Sequence, residues 1–508
     1  MGRYSEVERK FDADPGVLLP DLSGAAAAVS EAVESHLDAT YFDTADMRLA
    51  RYHVTLRRRT GGDDAGWHLK LPAGLDERIE VRLPLGRATR KVPVALAAEV
   101  RALVRDRPLV PIAVLRTTRI ERRLLDGDGD TLAIIADDTG VGQRLADGAV
   151  QESTWREVEV ELVDGDRSLL DVVGSQLQAG GLTASQASSK LARVLGDSAQ
   201  PSPAAAPEAV SSAGRATAGT VVLAHLDQQV DKLVMHDRGA RADEPDAVHQ
   251  MRVATRRLRS ALATYRPLMD RERTDPVRQE LKWLGEVLGR PRDAEVLHWR
   301  LRDLVAAQPG ELVLGPVGAR VDLELSDRHR GAHADLVAAL DSDRYFRLLD
   351  ALDSVLAEAP LTARAGKPAR TQLPALVGRA AGRVDRAARA VAGARTPQER
   401  DQGLHEVRKS AKRARYAAES AVPVSGKQAT RLAERMEALQ DVLGEHQDSV
   451  AAQSLLLQLA MAAQASGENG FTFGLLYAQE RTRADDARRR YEPALRKAST
   501  TKARRWTR

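Results

Sequence analysis

The chain has 508 residues, room for two or three domains with a core in each, and its 76 basic against 72 acidic side chains leave a formal charge of only +4. It contains no cysteine, which excludes disulfides, iron–sulfur clusters and thiol catalysis and fits a reducing compartment. The N-terminal residues lack an apolar signal core and no apolar run reaches the length of a membrane span, so a cytoplasmic location is expected. The pI near 9.2, with bases clustered locally, points to anionic partners.

Residues up to about Lys190 read as alternating strands separated by turns such as Gly61-Gly62-Asp63-Asp64 and Asp126-Gly127-Asp128-Gly129-Asp130. Alternate side chains of a strand share a face, so Glu6, Glu8 and Lys10 point one way. The same parity groups Arg57 with Arg59, Arg78 with Glu80 and Arg82, and Glu157 with Glu159 and Glu161, the last three opposite Val158, Val160 and Leu162. A strand facing water usually carries mixed polar residues, whereas these carry only strong acids and bases. The recurrence favours a charged tunnel, because a closed barrel of about eight strands has an interior wide enough for side chains and one small ligand. Acids among bases in such an interior make chemical sense if divalent cations and a polyanion sit between them.

The Glu6-x-Glu8-x-Lys10 stretch, Tyr41-Phe42-Asp43-Thr44, Leu56-Arg57-Arg58-Arg59, the Lys70 strand, Glu157-x-Glu159-x-Glu161 and Ser189-Lys190 together resemble a CYTH domain, a triphosphate tunnel metalloenzyme. The resemblance covers residues 1–197 and implies an eight-stranded antiparallel β-barrel that binds a triphosphate with Mg²⁺ or Mn²⁺. It implies a catalytic set of Glu6, Glu8, Lys10, Glu157 and Glu159. Glu6, Glu8, Glu157 and Glu159 become the metal-side carboxylates, and Lys10, Arg57, Arg59, Lys70, Arg119 and Lys190 the phosphate clamp. Glu161 could bind metal, orient water or only repel its neighbours. Arg78, Glu80 and Asp138 are candidate wall residues. Arg116 and Arg119 have opposite parity, so one at most faces the tunnel, and Arg119 is assigned there for its place after the paired threonines.

Residues 198–218 are rich in Pro, Ala and Ser and read as a linker unable to build a core. Beyond them the pattern is helical. The stretch Val248-His249-Gln250-Met251-Arg252 through Arg259 recurs as Leu404-His405-Glu406-Val407-Arg408 through Arg415, shifted by 156 residues. Val287-Leu288-Gly289 with Asp293 recurs as Val442-Leu443-Gly444 with Asp448, shifted by 155, so two similar halves are expected about a pseudo-twofold axis. Within each copy the histidine and the bases three, seven and ten positions on fall within an arc of roughly 80°. Met251, Leu258 and Leu262 occupy the far side and leave the stripe outside the core.

These paired helices resemble a CHAD domain, over residues 219–498. The resemblance implies an all-α domain that binds inorganic polyphosphate on a basic surface. His249, Arg252, Arg256, Arg257 and Arg259 match its motif in the first copy. His405, Arg408, Lys409, Lys412, Arg413 and Arg415 match it in the second. Val253 stands where the second copy has Lys409, so the halves are not equivalent. His446 with Glu445 and Asp448 is an alternative metal-like cluster, for which a structural role serves equally well. His225 and His236 are isolated and read as packing or surface residues. Residues 499–508 form a basic tail expected to be disordered.

The expected function is a metal-dependent triphosphatase, a hydrolase, joined to a polyphosphate-binding module. Polyphosphate granules are one place for it within the cytoplasm. The rival reading is a binding-only protein of such granules. Thiamine triphosphate hydrolysis, adenylate cyclisation and nucleic-acid binding rank lower, the last because aromatic residues are only 4% of the chain and offer few stacking platforms.

Overall fold

A computed structural model of the chain describes residues 2–74, 76–86, 91–145, 151–196 and 216–507. It divides into two compact units, Met1–Pro203 and Ala204–Arg508, each taken by itself below.

The first unit is antiparallel throughout. In chain order its strands are β1 (Gly2–Asp12), β2 (Ala28–Val29), β3 (Val33–Asp43), β4 (Thr55–Thr60), β5 (Gly66–Gly74), β6 (Glu77–Leu83), β7 (Val110–Leu125), β8 (Thr131–Arg144), β9 (Gln151–Leu162) and β10 (Thr183–Ala184). The eight longer strands run β1-β6-β5-β4-β3-β7-β8-β9, and β1 pairs again with β9, which closes the barrel expected from the sequence. Along that seam Glu8 faces Glu161 and Lys10 faces Glu159. Interspersed helices are α1 (Arg48–Arg51), α2 (Val94–Glu99), α3 (Arg101–Val104), α4 (Arg167–Ala179) and α5 (Lys190–Leu195).

The barrel wears its apolar faces outward. Phe11, Ile135, Val158 and Val160 turn away from the interior and pack under Leu170, Val173 and Leu177 of α4. Each such fully buried side chain contributes on the order of 2 kcal/mol. Gly174 of α4 lies so close to Phe11 that a β-carbon would meet the ring at 3.1 Å. Asp166 caps α4 by accepting from the backbone N–H groups of Ser168 and Leu169. On another flank Leu191, Val194 and Leu195 of α5 pack with Ala39, Ile112, Ala113 and Leu115. With the apolar residues spent outside, the alternate positions of the same strands face the interior.

The linker expectation falls largely on residues outside the described set. Residues 216–218 are ordered: Thr217 bridges to Pro368, and its side chain caps the helix Ala218–Met235. The second unit is built of helices. The repeat helices are Ala247–Thr264 and Pro397–Ser420. After them come Arg271–Val287, Gly289–Ala306 and Val317–Leu340 in the first half, and Val422–Ala465 and Phe471–Ala498 in the second. Val422–Ala465 is kinked at Gly426, where φ is 50°. One apolar cluster joins Val377, Val384, Leu404, Val407, Leu432, Met436 and Leu439. Another joins Leu301, Val321 and Leu325 to Leu455, Leu456, Phe473 and Leu476, so the helix Val422–Ala465 serves both halves. Met251, Leu258 and Leu262 are buried as expected.

The tail differs from expectation. Thr501–Arg504 is helical and Arg505–Thr507 forms a 3₁₀ turn. Arg504 pairs with Asp385, Ala503 is buried and Trp506 packs on the core, so side-chain anchoring overrides the charge that had read as disorder. No helix among the described residues is long and apolar enough to cross a membrane.

Candidate functional site

A narrow, partly open cavity of about 60 Å³ runs into the barrel, walled by Glu6, Glu8 and Lys10 of β1, Arg57 and Arg59 of β4, Lys70 of β5, Arg78, Glu80 and Arg82 of β6, Arg119 of β7, Glu159 and Glu161 of β9, and Lys190 of α5. Strand parity puts them there, since on β1 and β9 the alternate residues Val7, Phe11, Val158 and Val160 belong to the apolar layer under α4. Arg119 is on the wall, while Arg116 is exposed beside Asp38.

Acids and bases of the wall engage one another. Lys70 Nζ lies 2.7 Å from Glu6 Oε1 and 2.6 Å from Oε2. Lys10 Nζ is 2.9 Å from Glu8 and also pairs with Glu159. Arg119 forks onto both oxygens of Asp138, at 2.8 and 2.7 Å, and reaches Glu159 at 3.1 Å. Lys190, at the start of the Ser189-capped α5, lies 3.0 Å from Asp138, 2.9 Å from Glu157 and 2.7 Å from Glu159. Burial pushes the Glu8 carboxyl up, but Lys70 and Lys10 outweigh it and bring it down to about 2.

Glu161 stands apart. Burial first, then the charge of Glu6, with Glu8 and Glu159 adding, pushes it up to about 7. Such a group of carboxylates is relieved by a cation, and a donor set made only of carboxylate oxygens suits a hard divalent ion. By that chemistry Glu6, Glu8, Glu159 and Glu161 fit a metal. Glu6, Glu8 and Glu159 are here held in ion pairs, and no three described acids or histidines are grouped as a metal cluster. Glu157, expected among the metal ligands, is not on the cavity wall: it is fully buried and held by Lys190 at 2.9 Å and Arg193 at 3.0 Å.

On the phosphate side, the Arg57 and Arg59 Nε atoms are buried without a hydrogen-bond partner. Burial, Arg57 and Arg119 depress the Arg59 guanidinium, a crowding of like charge that an anion would relieve.

Several members of the site escaped the sequence reading. His68 is buried, with Nδ1 2.9 Å from Glu80 Oε1 and Nε2 2.9 Å from the Asp64 carbonyl, so it ties the β4–β5 turn to β6. Asp64 pairs with Arg59, and the Tyr41 hydroxyl accepts from Arg57 at 3.3 Å. Arg193 was detectable in principle: it lies three residues after Lys190 and therefore on the same helix face.

In the helical unit the two repeat helices lie together. Ser260 Oγ donates to the Arg413 carbonyl at 3.5 Å, and the Tyr265 and Ser420 hydroxyls are 2.7 Å apart. Arg252 lies over Gly289, 3.4 Å from where a β-carbon would stand, and pairs with Asp293 at 2.9 Å. Arg408 lies over Gly444 in the same way, and both Nε atoms are buried and unpartnered. This match ties the two repeated motifs together, since the arginine of the first lies over the glycine of the second in both copies. Arg256 and Lys412 join them at the centre.

The rest of the stripe is spent differently. Arg257 and Arg415 both hold Glu419, and Arg415 also holds Glu437. Lys409 is exposed beside Glu406, His405 faces Gln447, and Arg259 and Arg413 are half-buried. His249 lines a separate cavity with Trp299, His298 and His329. The cluster around His446 does not form: Glu445 turns to Arg300, while His446 Nε2 accepts from Arg488 at 3.0 Å.

The family model of the CYTH domain matches residues 5–195, and that of the CHAD domain matches residues 224–457. The uncharacterized protein Rv2226 of Mycobacterium tuberculosis is 41% identical over 512 residues, covering 97% of this chain and 96% of that one. Among solved structures, PptA from Streptomyces chartreusis is 24% identical with a TM-score of 0.46, covering 55% of this chain and 99% of that one. The CHAD domain of the plant Ricinus communis is 26% identical with a TM-score of 0.43, covering 55% and 92%. With two domain models matched in succession and a relative aligned along nearly the whole length, the chain belongs to the family in which a CYTH domain is followed by a CHAD domain.

Proposed function

We propose that the barrel hydrolyses inorganic triphosphate or a related triphosphate with the help of Mg²⁺ or Mn²⁺, and that the helical unit binds inorganic polyphosphate. The observation that carries the first part is the cavity wall, which gathers Glu6, Glu8, Glu159 and Glu161 together with Arg57, Arg59 and Arg119. Guanidinium forks match phosphate oxygens bidentately, and carboxylates match hard cations. A bound divalent ion would neutralise phosphate charge and favour attack by water on a terminal phosphoryl group. The protein's share is positioning. Arg57 and Arg59 hold the chain of phosphates, while Lys70 and Lys10 exchange their carboxylate partners for phosphate oxygens. Glu157 and Asp138, both fully buried, fix Lys190 and Arg119 in place.

A binding-only protein has one observation in its favour, the engagement of Glu6, Glu8 and Glu159 by lysines. Phosphate release from triphosphate with Mg²⁺ or Mn²⁺ separates the readings. Turnover supports the hydrolase, and tight binding without turnover removes it. For the helical unit, competition between polyphosphate and duplex DNA at fixed salt tests the ligand class, and equal affinity per charge would remove the preference for polyphosphate.

A further inference from the structure

The basic centre of the helical unit is symmetric in position and asymmetric in chemistry. Arg252 and Arg408 are equivalent by the 156-residue repeat, and so are Arg256 and Lys412. Lys412 faces Arg256 and Arg252 across the helix contact and Arg408 and Arg415 along its own helix. Of the nearby acids, Asp293 is taken by Arg252, and Glu419 and Glu437 are held by Arg257 and Arg415. Asp448 lies beside Arg408 with its carboxyl pushed up by burial, and titrates on the acid side of the window used below. Tyr416 lies beside Arg256, and His249 beside Arg252, Arg256 and Arg292. Among the described residues no ion pair reaches Arg256 or Lys412.

Arg256 and Lys412, crowded by Arg252 and Arg408 and with no acid of their own, cannot both keep their protons cheaply, and a guanidinium does not release its own. The lysine is the member that yields. Burial first, then Arg256, Arg408, Arg252 and Arg415, push it down to about 6. An anion laid over the centre reverses the balance, because it supplies the opposite charge that favours the ammonium form.

We infer that capture of a phosphate chain by the helical unit is proton-linked, with Lys412 neutral in the free protein and taking one proton from solvent as the anion docks between the repeat helices. The inference rests on the polyphosphate reading of this surface. No covalent bond changes: a proton leaves water or buffer and joins the Nζ lone pair. Proton linkage makes the grip tighten as pH falls and loosen as pH rises. His249, held below its ordinary value, titrates on the acid side, so a window from about pH 7 to about pH 9 reads Lys412.

The test is calorimetric titration of the full chain with long-chain inorganic polyphosphate, under chelator so that nothing is hydrolysed, in two buffers of different ionisation enthalpy. The expected result is uptake of about one proton on binding near pH 8, with Kd weakening toward about tenfold per pH unit. Lys412→Arg keeps the charge and cannot titrate, so uptake falls to near zero and the pH dependence flattens. Arg256→Lys, from the other half, adds a second titrating group and raises the uptake. Binding with no proton uptake, or the same uptake in Lys412→Arg, overturns the inference and leaves polyphosphate binding standing. Absence of binding at both ends of the window overturns the polyphosphate reading and the inference with it.

Discussion

The Arg408 guanidinium lies over Gly444, its Nη2 3.6 Å from the point where a β-carbon would stand. A methyl at that distance makes ordinary contact, so Gly444→Ala is expected to be tolerated. The branched side chain of Gly444→Val would push Arg408 off the centre. We expect roughly tenfold weaker binding of long-chain polyphosphate, the cost of about one charge-assisted contact, with triphosphate turnover by the barrel unchanged. Loss of turnover together with binding would mean that the helical unit had unfolded, and circular dichroism checks that.

Glu6→Gln keeps the size of a wall carboxylate and removes its charge. Turnover of triphosphate should fall by on the order of 100-fold or more, while polyphosphate binding by the helical unit stays within about twofold. Chelation of divalent ions should abolish turnover in the unaltered protein, and addition of Mg²⁺ or Mn²⁺ should restore it. Phosphate-release assays beside binding titrations read both effects, and turnover that survives chelation would remove the metal from the reaction.

Arg119 serves two carboxylates at once, Asp138 through a fork at 2.8 and 2.7 Å and Glu159 at 3.1 Å. Arg119→Met leaves the fully buried Asp138 to Lys190 alone and should cost about 3 kcal/mol in urea unfolding of the barrel. Arg119→Lys keeps the charge and loses the fork, so stability should fall less and KM for triphosphate should rise. Equal stability of the two variants would count against the paired geometry.

Lys412 gives the protein a pH signature without any ligand. Its folded value of about 6 lies below the ordinary 10.5, so between these two the unfolded chain binds the extra proton. Stability therefore rises as pH is raised from about 6 toward 10.5, and the cost of the buried charge is fully present below about pH 6. Lys412→Met should gain most at the acid end and little at the alkaline end. Urea midpoints at several pH values measure it, and parallel curves for the two proteins would sink the assignment.

Much of the barrel was legible because β-strands have a period of two. Glu157, Glu159 and Glu161 against Val158 and Val160 announce one charged and one apolar face, and closure follows once several strands share that oddity. Which acid meets which base was not legible. Glu157 and Glu159 share a face, yet one is sealed by Lys190 and Arg193 and the other borders the cavity, a difference set by where α5 lands. His68 was missed because its partners, Glu80 and the Asp64 carbonyl, come from another strand and a turn. In the helical unit the repeat was plain in the sequence, but that the arginine of one motif lies over the glycine of the other, Arg252 on Gly289 and Arg408 on Gly444, emerged only in three dimensions. The tail misled because a run of bases says nothing of Asp385 waiting for Arg504.

The pairing of β1 with β9 also dictates an order of events. Hairpins β4–β5 and β7–β8 join strands that are neighbours in sequence, whereas the seam joins Glu8 to Glu161 and Lys10 to Glu159 across some 150 residues of chain. Loop closure of that length is slow, so the seam is expected to zip last, and it does so against acid facing acid. Pulse-labelled hydrogen exchange during refolding should show the amides bonded across the seam, within residues 8–12 and 157–161, protected after those of the β7–β8 hairpin, and simultaneous protection would refute the order. Glu8 and Glu161, two of the acids that would hold a divalent cation, meet at this last joint, so a bound cation would relieve their repulsion and favour closure of the barrel as well as serving its chemistry.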